Sequence, residues 1–337
     1  MSGAIGSDPR AAAGKGPRVE SSPADSDRLG DGSSHAERPA VGQRPSEDQT
    51  GSGRASDAAA PTSRRHRIAV VAREEYRRAL ESRWLFGFAA LLAALILGLS
   101  YFGLAQGREV GFQGFARVTL SLMNLVLFVV PLTGLLLGVT SIAGTGGTLA
   151  LLLAQPVRRS EVLLGKFLGL AAALSVAQVV GFGGGGAVVA FYAGAEQVPG
   201  FVVLALLSLW LGWLTLATAI AIAVTWPDRL KAMSAALLLW LLMVVAYDLA
   251  VLGASAVFRG VPLQAVLFPA LLLNPVDLCR VLTTLAIGSG ALFGPTSAVL
   301  VRLFGSSGGI ALGLAVLTVE TAVPLAVGAL VFRDRDL

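Results

Sequence analysis

From Trp84 to the C-terminus, long apolar runs alternate with short polar interruptions. Six runs, near 84–106, 118–142, 163–193, 199–226, 233–258 and 308–332, each exceed the roughly 20 residues that an α-helix needs to cross a bilayer. The run at 263–273 is shorter, lies between Pro262 and Pro275, and contains Pro269. It predicts broken helices near an interface, as does the small-residue-rich stretch 286–305. Ahead of the first run, residues 68–83 read IAVVAREEYRRALESR. Helical spacing puts Ile68, Val71, Ala72, Tyr76, Ala79 and Leu80 on one face and Arg73, Glu74, Arg77, Arg78 and Glu81 on the other. The pattern predicts an amphipathic helix along the membrane surface, with basic groups toward lipid headgroups. The solvated start of the first span is the competing reading. The expected fold is all-α: six transmembrane helices preceded by a surface helix.

Composition supports that class. The chain is 55% hydrophobic and 14% charged, where soluble domains carry roughly a quarter charged residues. Only 17 charged side chains fall within 84–332. A soluble enzyme, a disulfide scaffold and a coiled coil are excluded, and Cys279, the single cysteine, has no partner. Residues 1–60 contain no Phe, Trp or Tyr, and their acidic and basic groups nearly balance. Such a segment buries too little apolar surface to offset chain ordering, so residues 1–66 are expected to be a disordered cytosolic tail and 67–337 the membrane domain. The tail lacks the apolar core of a signal peptide, which leaves insertion to the first span. The net charge of +5 comes from Arg and Lys flanking apolar runs and does not point to nucleic acid. With the N-terminus in the cytosol, fourteen Lys and Arg outside the tail fall on the inner side and five on the outer. That bias places both termini on the cytosolic side of a cell (inner) membrane.

Few residues carry chemistry. Gly14-Lys15 is followed by Gly16, and Gly165-Lys166 by Phe167. Neither fits a P-loop, which needs Ser or Thr after the Lys. No HExxH or Cys/His cluster occurs, so no catalytic residue, metal site or cofactor is expected on this chain. Met123, Met233, Met243 and Cys279 are scattered and read as packing. Asp248 and Glu320 stand inside apolar runs, where an ionisable group costs about 2.5–3.5 kcal/mol. Each is either a lining or protonatable group, or a hydrogen-bonded packing residue. In LLLNPVDLCR (271–280), Asn274 can cap a helix started by Pro275, with Asp277 and Arg280 as i,i+3 partners. The glycines at 181 and 183–186 permit close helix approach, within one copy or between two. Gly144, Gly146 and Gly147 end one helix, and residues 148–154 can form a short helix before Pro156. That helix either transmits force from a soluble partner or is an ordinary loop.

GTLALLLAQPVRRSEVLLGKFLG, with an amphipathic helix ending in SRWL before the first span, resembles permease subunits of the ABC-2 transporter class. LFVVPLTGLLL and LLLNPVDLCR narrow the likeness to permeases of the ABC transporter for copper-enzyme maturation, as in nitrous oxide reductase assembly. The resemblance covers about 68–335. It implies two permease copies carrying a separate cytosolic ABC ATPase, which holds the ATP and Mg, and a periplasmic partner on the outer side. It places the coupling segment at 148–156, through Thr148, Leu149, Leu151, Leu152, Gln155 and Pro156. One departure stands out: the class carries charges just before GTL, whereas residues 142–147 here are uncharged. Two other classes remain open, an ATP-independent secondary transporter with Asp248 and Glu320 as a proton relay, and a membrane anchor for a maturation complex.

Overall fold

The computed structural model describes residues 64–105, 112–143, 158–192, 198–257, 263–287 and 295–334. All regular structure among them is helical. The helices are α1 (Arg64–Glu81), α2 (Arg83–Ala105), α3 (Phe112–Ile142), α4 (Arg159–Tyr192) and α5 (Val198–Thr225). They continue with α6 (Arg229–Leu241), α7 (Tyr247–Val257), α8 (Leu263–Leu273), α9 (Pro275–Ile287) and α10 (Pro295–Asp334). A π-helical turn, Leu242–Ala246, joins α6 to α7.

Five stretches are long and apolar enough to cross a membrane: Ser121–Ile142, Arg159–Ala187, Val198–Thr225, Arg229–Gly253 and Ser307–Arg333. α1 and α2 meet that test as a pair, bent by 65° at Ser82. The protein is an all-α membrane protein. Lipid offers no hydrogen-bond partner, so spanning segments must satisfy their polar groups internally. The hydroxyls do so by donating one turn back: Thr133 to the Val129 carbonyl, Thr215 to Leu211 and Thr283 to Cys279. α3 stays helical through Pro131.

α1 departs from expectation at its start. Residues 64–66, expected in the tail, form its first turn. The reason is tertiary: Arg64 and Arg67 both reach Glu161 on α4, which holds this turn against the bundle. Residues 1–63, the rest of the expected tail, lie outside the described residues.

The bundle centre is built by α3, α4 and α5, with Val126, Val130, Leu174, Leu211, Leu216 and Ile220 fully or almost fully buried. α3 and α5 approach closely because Gly134 and Gly138 are one turn apart on the contact face. A methyl group on Gly138 would lie 2.5 Å from the Ala219 Cβ, and one on Gly134 would lie 3.0 Å from the Gly212 carbonyl oxygen. In lipid, where hydrophobicity does not drive helices together, such close backbone packing does. Gly181 and Gly185 face Leu92 and Ile96 of α2, so these two glycines serve packing within the chain. A satellite core of Leu135, Val139, Ala219, Ala223, Ala232 and Ala236 seats α6 on α3 and α5. Trp240 reinforces it, donating its indole N–H to the Phe128 carbonyl at 3.1 Å. The spans Arg229–Gly253 and Ser307–Arg333 bury far less of themselves than the other three. α9 packs against α5 and α10, with Leu282 lying where Gly313 of α10 leaves space. α10 bends at Gly305, whose φ of 71° suits a residue without a side chain.

Candidate functional site

At one end of the bundle, α1 is fastened to the first turns of α4. Gly165 and Gly169 of α4 clear the way. A methyl on Gly165 would lie 2.7 Å from the Val71 Cβ, and one on Gly169 would meet the Ala72 carbonyl. Around this contact stand two ion pairs. Arg67 donates Nε and Nη2 to the two carboxylate oxygens of Glu161, at 2.9 and 3.1 Å, and Glu161 is 1% exposed. Arg64 adds a third charge at 3.8 Å. The hydrogen bond to Glu161 raises the Arg67 guanidinium above its ordinary value, so it stays charged. Lys166 pairs with Glu75, and both side chains are buried. Two further bonds tie in neighbouring helices. Lys166 donates to the Ser141 carbonyl at the end of α3, and Arg159 donates to the Phe332 carbonyl at the end of α10. α1, α3, α4 and α10 are thus joined at one end by charge-assisted bonds, which are roughly twice as strong as neutral ones.

Near the other end of the Arg229–Gly253 span, a second polar cluster links α7 to α9. Asn274 accepts the Val276 N–H at 3.0 Å, capping the helix that Pro275 begins. Its amide also donates to the Met243 carbonyl in the π-turn at 2.7 Å. Arg280 bridges two carboxylates: Nη1 lies 3.0 Å from Asp277 and 3.1 Å from Asp248, and Nη2 also reaches Asp248. The Tyr247 hydroxyl donates to Asp277 at 3.3 Å. An apolar groove of about 540 Å³, lined by Leu239, Leu242, Met243, Ala246, Leu273 and Asn274 among others, runs alongside. The structure therefore brings Asp248 together with Asn274, Pro275, Asp277 and Arg280.

Glu320 is elsewhere, on α10, with Oε2 buried and without a hydrogen-bond partner among the described residues. Thr148, Leu149, Leu151, Leu152, Gln155 and Pro156 lie outside the described residues, as does most of the uncharged stretch 142–147.

Residues 69–337 match the family described as ABC-2 family transporter protein. The chain belongs to this family. It is similar to the probable ABC transporter permease protein NosY of Pseudomonas aeruginosa, with 37% identity over 221 residues, 63% of this chain and 80% of that relative. The protein of the same name from Stutzerimonas stutzeri is 33% identical over 234 residues, 67% of this chain and 85% of that relative. The protein is a multi-pass ABC-2 permease of this type.

Two features of the ABC-2 permease escaped sequence reasoning. Lys166 entered only as a lysine that fails the P-loop pattern and among the inner-side basic residues, and Glu161 was not singled out, yet both are anchor points for α1. The available signal was an acid and a base five residues apart on an otherwise apolar helix, matched by Arg67 and Glu75 on a second one. The small-residue pairs Gly134/Gly138 and Gly165/Gly169 have the four-residue spacing of a close helix crossing. That spacing was legible; the partner helix was not.

Proposed function

We propose that this ABC-2 permease is the membrane-spanning subunit of an ATP-driven transporter, working as two copies in the inner membrane with both termini cytosolic. ATP and Mg bind a separate cytosolic ATPase, and the permease chain performs no hydrolysis. Its span arrangement is six-pass, with α1 lying on the membrane surface before α2. The likeness of LFVVPLTGLLL and LLLNPVDLCR to permeases of copper-enzyme maturation supports a role in assembling an enzyme such as nitrous oxide reductase. On that reading, a periplasmic partner meets the outer side.

The observation that carries this reading is the ion-paired brace. α4 begins at Arg159, three residues after Pro156, and its first two turns are bonded to α1, α3 and α10. A push on residues 148–156 would enter four helices at once instead of dissipating in one. At the far end, the Asp248–Arg280–Asp277 bridge and the Asn274 bond to the π-turn join α7 to α9. We assign this cluster the role of an outer latch that yields when the brace moves. The proton-relay alternative has less support. Asp248 is held by Arg280, while Glu320 has no hydrogen-bond partner among the described residues.

The test is copurification of the permease with its ATPase. Leu151→Asp with Leu152→Asp should abolish permease-stimulated ATP hydrolysis while the permease still inserts. Unchanged stimulation rejects the coupling assignment.

A further inference from the structure

We infer that Glu320 is a proton-binding site inside the membrane, a carboxylic acid that keeps its proton while α10 is packed on the bundle. Glu320 sits near the middle of the Ser307–Arg333 span. It follows Leu317, which is fully buried, by three residues, and Gly313, which faces Leu282 of α9, by seven. That spacing keeps all three on the packed face of α10. Its Oε2 is buried with no hydrogen-bond donor in reach among the described residues.

Among the described residues, the neighbouring elements offer it no counter-charge. α5 and α8 contain no titratable side chain. On α9, the Cys279 thiol lies within its electrostatic reach, while Arg280 is committed to Asp248 and Asp277. Tyr247 and Asp248 of α7 belong to that same cluster. Arg159, Glu161 and Lys166 of α4 are at the brace, where Arg159 meets the Phe332 carbonyl three turns further along α10. A bare carboxylate at this depth would lack both water and a cation. The neutral acid avoids that penalty. Loss of its proton would favour movement of Glu320 toward water and would loosen α10 from α9. This site stands apart from the ATPase-coupling reading and does not rely on it.

The test uses the full-length chain in native membranes treated with dicyclohexylcarbodiimide. A neutral acid adds across one C=N bond of the reagent. The carboxyl oxygen bonds the central carbon, the proton passes to nitrogen, and acyl migration leaves a stable N-acylurea with no group lost. An ionised acid cannot supply that proton. Tandem mass spectrometry should find the adduct on Glu320 at neutral pH in clear preference to Asp248 and Asp277, whose carboxylates are held by Arg280. E320Q should lose it, and a water-soluble carbodiimide should miss it. Melting of the purified protein gives a second readout that needs no reagent access. The packed form is the acid form, so wild-type stability should fall as pH rises, relative to E320Q. At pH at or below the ordinary glutamate value of about 4.3, where the unfolded chain also keeps the proton, E320Q should melt with wild type. Preferential labelling of Asp248 or Asp277, a shared pH profile, or strong destabilisation by E320Q at acidic pH overturns the inference. Where the reagent fails to reach the site, the melting comparison decides.

Discussion

Replacing Lys166 by Met tests the brace most directly. The Lys166–Glu75 pair is buried on both sides, 6% and 9% exposed, and Lys166 also donates to the Ser141 carbonyl. Removing the ammonium leaves the Glu75 carboxylate uncompensated beneath α1. Breaking a buried pair from one side costs about 3–5 kcal/mol, which lowers the folded-to-unfolded ratio roughly a hundredfold to several thousandfold. At about 2–4 °C per kcal/mol for a domain of comparable size, the melting point should drop by about 6–20 °C. Glu75→Leu should have a similar effect, for the mirror-image reason. The double variant, Glu75→Leu with Lys166→Met, replaces the pair by apolar groups and should return to within about 1 kcal/mol of wild type. The assay is thermal unfolding of the full chain in mild detergent, followed by tryptophan fluorescence and completed as a double-mutant cycle. A Lys166→Met variant that melts like wild type, or a double variant whose loss is the sum of the singles, refutes the claim that the pair holds α1 on α4.

Gly169→Leu should push α1 off α4, because its new side chain meets the Ala72 carbonyl and the Glu75 Cβ; the expected loss is about 1–3 kcal/mol, read as faster protease cleavage within 64–81. Arg280→Ala leaves the buried Asp277 carboxylate with only the Tyr247 hydroxyl and should cost about 3–5 kcal/mol, and Arg280→Lys should recover only part of it because one ammonium lacks the planar fork that serves both acids. A melt series of the two variants checks this, and equal stability of Lys and Arg at 280 would count against the bridge. Trp240→Phe keeps the ring contact with Phe128 but loses the bond to its carbonyl, a loss of about 1 kcal/mol expected in the same melt.

Much of the architecture was legible before any coordinates. Apolar runs longer than a bilayer crossing leave few folds open, because backbone groups in lipid must bond within their own helix. The helix start at Pro275 and the Asn274 cap were likewise local, and local stereochemistry is visible in consecutive residues. The relations between Asp248 and Arg280, 32 residues apart, and between Glu75 and Lys166, 91 apart, were not. Asp248 and Glu320 looked alike in the sequence, as single acids in apolar runs. The structure separates them, one held by Arg280 and the other with no hydrogen-bond partner among the described residues.

The sequence alone determined that this chain is a helical membrane protein with an amphipathic lead-in, because hydrophobic length and helical period are properties of consecutive residues. Only the tertiary structure decided which helices pair, which acid meets which base, and that the glycine pairs of α3 and α4 receive α5 and α1. Those outcomes depend on the rotation and crossing of whole helices, and a charge or a missing side chain has no partner until the helices are placed side by side.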